Sequence, residues 1–359
     1  VAAMDAIAMV AAATGVLAIV SPGGMLRGSL VKALVRSGIV GCSAWIFWYR
    51  MVLRHAAKQA RPWGPRRLIA FLSGRFFKLG CWYLNYSDNC EEVVKEGTFG
   101  QGAQYLIVWH PHGAFTLSAF VFFSHYWAIG YPGDSSVLRY VCIAPLLLRI
   151  PFLSEYLLMC NARSQDSKTF SSLLRTGATV AVQPGGLIEQ VSTDHEREQV
   201  FFPARLGFVR LAIQNGVPLL PLYGFGENQL FGTSPWTRRA NMWLYKHLKF
   251  GTLFVLSASG WPNPFLWPIS GRGVHLRFGE PVDVGPKEEH PSDERVQEVY
   301  QRYVAALQKL FDRYKDDCLP PEVAARGLKV VYRGDERDGQ PSSSPSASPP
   351  SDGNGAGKK

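Results

Sequence analysis

Between Asp5 and Asp88 the chain has no acidic residue, yet the same interval holds basic ones at Arg27, Lys32, Arg36, Arg50, Arg54, Lys58, Arg61, Arg66, Arg67, Arg75 and Lys78. The net charge of +10 over 359 residues would suit nucleic acid, but no zinc-finger, RNA-recognition or basic-zipper pattern accompanies it. The cations flank apolar segments instead. That placement fits the positive-inside rule and anionic headgroups, so the expected partner is a membrane and not nucleic acid. Charge of either sign is scarce, at 18% of residues against 47% hydrophobic, which excludes a disordered chain. Six cysteines lie scattered without a C-x-x-C pair, which points away from a disulfide framework and towards reduced thiols facing the cytosol. There is no G-x-S-x-G, no Walker A, no G-x-G-x-x-G and no H-E-x-x-H. A serine-hydrolase elbow, a P-loop, a dinucleotide fold and a zincin are thereby set aside, and no cofactor is expected.

The N-terminal segment reads as membrane-embedded. Ala6–Leu26 carries no charge, with a helix-like run to Val20 and a turn at Ser21–Gly24. A second apolar run, Ser37–Tyr49, ends on Arg50 and is short for a span of about 20 residues. A helical hairpin over 1–53, dipping into one leaflet or crossing at a tilt, is expected. An uncleaved signal peptide is the alternative for the first run, although it lacks a basic n-region. Residues 54–84 form a basic amphipathic connector.

From 85 to about 320 strand-like and helix-like patterns alternate, which predicts an α/β layered fold with a central sheet flanked by helices. Strands are expected over Tyr105–Trp109, Ala178–Val182, Val217–Tyr223 and Val274–Phe278. Helices are expected over Phe115–Ile129, Ser167–Arg175 and Gly207–Asn215. The clearest helix starts at Ser292, with Asp293 and Glu294 in its first turn and apolar residues every three or four positions from Val296 to Tyr314. We expect it to pack and to carry no chemistry. Residues 334–359 are low-complexity, and we expect them to be disordered.

"YLIVWHPHGAF" delivers His110 and His112 at the carboxyl end of a strand, where open α/β sheets place ligands. Pro111 stiffens the step between them, and Gly113 allows a sharp turn and close approach of a substrate. Imidazole near neutrality suits a general base, and His112 is the preferred candidate with His110 in support. Two core histidines, or two ligands of a metal, are the competing readings. "VQPGGLIEQ" sets Gly185 and Gly186 in a turn after a strand. Their N–H groups can face an oxyanion or an anionic ligand, with Glu189 beside them to orient a histidine, though such a turn also serves merely to reverse a chain. Arg205 precedes a helix, and with Arg210 it suits phosphate; solvated arginines are the alternative. Glu227 and Asn228 lie in "FGEN", just past the next buried strand.

In this order the motifs resemble the type 2 diacylglycerol acyltransferase family, shared with monoacylglycerol and wax-alcohol acyltransferases. The matching pieces are "HPHG" at 110–113, "IPFLSEYLLMCNARSQDSKTFSSLLRTG" at 150–177, "PGGLIE" at 184–189, "RLGFVRLAIQNGVPLLPLYGFGEN" at 205–228, "FGEPVDV" at 278–284 and "YVAALQKLFDRYK" in the last helix. The aspartate of the wider glycerolipid acyltransferases is absent: the fourth residue after His110 is Ala114, and after His112 it is Thr116. The resemblance implies a glycerolipid-acyltransferase-like fold that uses acyl-CoA as co-substrate. It implies diacylglycerol as acceptor and triacylglycerol as product, at the cytosolic face of the endoplasmic reticulum membrane or on lipid droplets. Gly113, Gly185, Gly186, Arg205, Glu227 and Asn228 are then the expected substrate contacts. Monoacylglycerol or a long-chain alcohol is the alternative acceptor. A membrane-bound metal hydrolase and a non-catalytic lipid-droplet protein are the alternatives from other classes.

Overall fold

The computed structural model describes residues 27–127, 132–258, 260, 268–269 and 272–333. The first apolar run, its turn and the expected disordered tail lie outside them. The second apolar run is the middle of a longer helix, α1 (Arg27–Ala56). Cations on either side leave thirteen uncharged residues, 37–49, or about 20 Å of helix against a hydrocarbon core of about 30 Å. No helix among the described residues is long and apolar enough to cross a membrane, and with its first run outside them the expected hairpin is not shown. Beyond Arg50 the helix docks: Leu53, Ala56 and Ala57 pack with Leu148 and Leu158. α2 (Arg66–Leu84) follows and stops at Asn85, which takes the left-handed conformation.

The body is a seven-stranded sheet in the order β1 (Ser87–Asp88), β8 (His275–Phe278), β7 (Leu219–Phe225), β2 (Leu106–His110), β5 (Thr179–Val182), β3 (Arg139–Ile143) and β4 (Ala162–Ser164). All neighbours are parallel except β7 and β8. The helices between strands are α3 (Cys90–Lys95), α4 (Leu117–Phe122), α5 (Leu153–Met159), α6 (Ser167–Arg175), α7 (Gly186–Val191), α8 (Gly207–Asn215), α9 (Pro235–Leu248), α10 (Asp293–Cys318) and α11 (Pro321–Ala324). A separate two-stranded parallel sheet joins β6 (Glu198–Phe202) to β9 (Leu328–Tyr332), past the expected end of the domain at 320.

Strand alternation sorts the core into two layers. Leu106 and Val108 face one side, where Leu173, Val209, Ile213, Val299, Tyr303 and Leu307 of α6, α8 and α10 cover them. Ile107 and Trp109 face the other, against Phe122, Phe123 and Trp127. Each such burial contributes about 1.5–3 kcal/mol. α10 begins as its sequence predicts, with the Ser292 hydroxyl accepting from Arg295 N–H at 3.1 Å. The expected helix over 115–129 is broken: α4 gives way at Phe123 to a π turn, Phe123–Trp127.

Candidate active site

Parity sends His110 to the α10 face. It is fully buried, edge-on to Phe202 with ring centroids 5.0 Å apart and tilted towards Tyr303 at 6.2 Å. Neither ring nitrogen has a hydrogen-bond partner in the protein, and burial pulls its pKa down to about 3. His112 lies past the cis His110–Pro111 peptide bond and is only partly buried. Its Nδ1 is 2.7 Å from the Thr116 hydroxyl, which also lies 2.8 Å from the His112 carbonyl oxygen. Desolvation lowers its pKa to about 4. At neutral pH both rings are uncharged, and of the two only His112 keeps some solvent exposure.

Three glutamates are buried around this loop. Glu189 Oε1 accepts from His112 N–H, and Oε2 accepts from Phe201 N–H at 2.8 Å. It therefore holds the backbone of the histidine, where the sequence pointed to an orienting contact on the ring. Burial, and secondarily Glu198, raise its pKa to about 8. Gln190 adds a second strut from α7, its Nε2 donating to the Ala114 carbonyl at 2.8 Å. Glu198 Oε2 accepts from Tyr223 Oη at 2.6 Å and from Asn228 Nδ2 at 2.9 Å. Burial raises its pKa to about 7, and Tyr223 is the register partner of His110 across β2 and β7. Glu227 accepts from Leu117 N–H at 2.8 Å and Ser118 N–H at 3.0 Å, satisfying two of the free donors at the start of α4. Burial raises its pKa too. Glu227 and Asn228, expected as substrate contacts, thus have their side chains committed inside the protein.

The glycines explain how the glutamates fit. Gly113 sits at φ +60°, and a Cβ there would lie 2.4 Å from Glu227 Cγ. In the direction a Cβ would take, the space beside Gly113 is filled by Glu227. A Cβ on Gly185 would lie 1.9 Å from Glu189 Oε2. Gly186 differs, with φ +54° and nothing within 4 Å of a Cβ.

Arg205 is exposed and directly precedes the left-handed Leu206 that caps α8. Arg210 is engaged elsewhere: its guanidinium donates to the Pro291 carbonyl at 2.7 Å and pairs with Asp293. The loops after β5, β2 and β7, three neighbouring strands, bring together His112, Glu189, Gly185, Gly186 and Glu227. Among the described residues no group of three His, Cys, Asp or Glu side chains is placed to hold a metal ion, and all six cysteines are free. The sequence reading missed Glu198, Tyr223 and Gln190. A charged residue at an inward position of "EQVFF", in step with Val200 and Phe202, was the available signal for the first.

A model of the family described as diacylglycerol acyltransferase matches residues 74–323. Diacylglycerol O-acyltransferase 2B of Umbelopsis ramanniana is 30% identical over 67% of this chain and 71% of its own length. Human acyl-CoA wax alcohol acyltransferase 2 is 33% identical over 70% and 76%. Diacylglycerol O-acyltransferase 2 of Dictyostelium discoideum is 30% identical over 66% and 73%. The crystal structure of the 1-acyl-sn-glycerophosphate acyltransferase of Thermotoga maritima aligns over 68% of this chain and 79% of its own, at 18% identity and a TM-score of 0.37.

Proposed function

This chain belongs to the diacylglycerol acyltransferase family, and from that premise we propose that it moves a fatty acyl group from acyl-CoA to the free hydroxyl of diacylglycerol with His112 as the base. The carrying observation is His112 itself, uncharged and partly exposed at the end of a central strand, with its backbone pinned by Glu189. In the reaction the acceptor hydroxyl gives its proton to the imidazole, and its oxygen attacks the thioester carbon. The tetrahedral oxyanion faces backbone N–H groups of Gly185 and Gly186. The C–S bond then breaks, and the imidazolium returns the proton to the departing thiolate. An imidazolium with a pKa of about 4 gives up that proton readily to a thiolate whose conjugate acid resembles cysteine, at about 8.5. No covalent acyl-enzyme and no cofactor enter. Arg205 at the start of α8 suits a CoA phosphate.

The acceptor arrives from a bilayer. On α2, Leu68, Phe71, Leu79 and Trp82 stand exposed along one face, and Phe152 in the nearby 146–152 loop is 88% exposed. On α9 Trp236 and Trp243 do the same, seven residues apart. The acid-free interval before Asp88 recurs from 228 to 279, where Arg238, Arg239, Lys246 and Lys249 accompany the exposed aromatics. Apolar faces edged by cations are what an anionic membrane surface takes up. This supports residence on the cytosolic face of the endoplasmic reticulum or on lipid droplets.

The test is expression in cells devoid of neutral lipid, followed by separation of lipid classes. Triacylglycerol is expected, and His112→Ala should lower its formation by about 10²–10⁴. Wax esters alone would move the acceptor to long-chain alcohols, in line with the human relative. A stable His112→Ala protein retaining more than about a tenth of wild-type turnover would remove His112 as the base.

A further inference from the structure

Thr116 is a β-branched residue at φ 55° and ψ 42°, the left-handed region that such side chains avoid. Helix capping does not account for it. Its hydroxyl makes no cap bond to α4, and Glu227 satisfies Leu117 and Ser118 N–H instead. A glycine would make the same turn without strain. What the conformation does accomplish is to set Oγ1 2.8 Å from the His112 carbonyl oxygen and 2.7 Å from Nδ1 of the same residue. A hydroxyl has one proton, and a carbonyl oxygen can only accept. The proton therefore goes to the carbonyl, and the ring must donate in the second contact. A neutral imidazole with its proton on Nδ1 has none on Nε2.

We infer that Thr116 is a positioning residue that fixes His112 as the Nδ1–H tautomer and presents Nε2 as the proton acceptor. The inference rests on His112 being the base. When Nε2 takes the substrate proton, the Nδ1–H bond to Thr116 persists, so the ring need not turn during the cycle. The orienting group is neutral, in a place where three buried carboxyl groups already crowd the loop.

The experiment compares Thr116→Gly, Thr116→Ser and His112→Ala with the wild type in the same membranes. It reads kcat, KM for acyl-CoA and the thermal midpoint of the detergent-solubilised protein. Thr116→Gly should lower kcat about five- to tenfold, the net weight of one neutral hydrogen bond. Its KM should stay within about twofold, because binding is untouched. Its thermal midpoint should hold or rise, since glycine adopts this φ freely. Thr116→Ser, which keeps the hydroxyl, should recover most of the rate. A threonine needed only for folding cannot lose rate and hold stability together. Wild-type kcat in Thr116→Gly beside an inactive His112→Ala overturns the inference alone, and so does a serine variant as slow as the glycine one. An active His112→Ala removes the base itself, a separate failure that this control identifies.

Discussion

Gly185 and Gly186 are adjacent and identical, yet alanine at the two should behave very differently. At Gly185 the new Cβ would stand 1.9 Å from Glu189 Oε2 and 2.6 Å from its Cδ, about 1 Å or more inside a contact distance near 3.5 Å. Glu189 cannot withdraw without giving up the N–H groups of His112 and Phe201. With a pKa of about 8 Glu189 is mostly neutral at pH 7, and neutral hydrogen bonds contribute about 0.5–1.5 kcal/mol each, so losing both costs about 1–3 kcal/mol. That is a sizeable part of a domain stability of about 5–15 kcal/mol, and the bond to His112 also holds the loop of the proposed base. At Gly186 nothing lies within 4 Å, and only the positive φ is strained, at about 1–2 kcal/mol. Both variants keep their backbone N–H groups, so the proposed oxyanion donors are not what differs. The assay is labelled acyl transfer in membranes, normalised to protein by immunoblot, with thermal midpoints measured in detergent. Gly185→Ala should lose at least about tenfold in specific activity and the greater share of stability, and Gly186→Ala much less of both. Equal losses, or a worse Gly186→Ala, would show that the Glu189 bridge does not hold the site.

Glu189→Gln should cost about 1–3 kcal/mol, because its NH₂ must face one of two N–H donors. The folded Glu189 has a pKa near 8 against a usual 4.5, so its contribution to stability falls as pH rises from 4.5 towards 8. Glutamine lacks that fall, and the gap in thermal midpoint should narrow from pH 5 to 8; a constant gap would mean that the carboxyl does not titrate there. His110 has the opposite sign. Its folded pKa of about 3 lies below the usual 6.5, so stability is lost as pH falls through that window. His110→Leu should flatten the acid slope by up to about 1.4 kcal/mol per pH unit, and an unchanged slope would refute a buried neutral ring. Arg205→Ala should raise the KM for acyl-CoA with kcat nearly unchanged. Arg210→Ala should leave KM alone and cost under about 1 kcal/mol, since its partner Asp293 is 91% exposed.

The frame was legible because hydrophobic periodicity reports burial directly. α6 and α8 begin and end where the patterns place them, closed by Gly177 and Gly216. β2, β5, β7 and β8 fall within two residues of expectation. The π turn after Phe122 was not legible, since an unbroken apolar run looks the same whether its ladder is i+4 or i+5. For α1, periodicity marked its uncharged centre but not its cationic ends. At the site, the histidines and Glu189 stood out by residue type. The partner atom did not: nothing in "PGGLIE" says whether the carboxylate meets a ring or a backbone N–H. Thr116 was visible only as a residue that is not aspartate, because its meaning lies in a backbone angle. β6 and β9 pair across more than a hundred residues, a separation that no local pattern spans.

That last pairing bears on when the enzyme becomes competent during synthesis. Phe201 N–H, which holds Glu189, belongs to β6, and β6 is braced by β9 through the pairing of Phe201 with Val331. Tyr303, beside His110, arrives only with α10. A nascent chain that has emerged as far as β8 already displays His-Pro-His-Gly and Pro-Gly-Gly, yet lacks both braces. Domains fold as they leave the ribosome, amino end first, so this one begins to fold before the loop that carries His112 is locked. Fragments that end before α10 and β9 are therefore expected to be inactive even where they contain His112, Glu189 and both glycines.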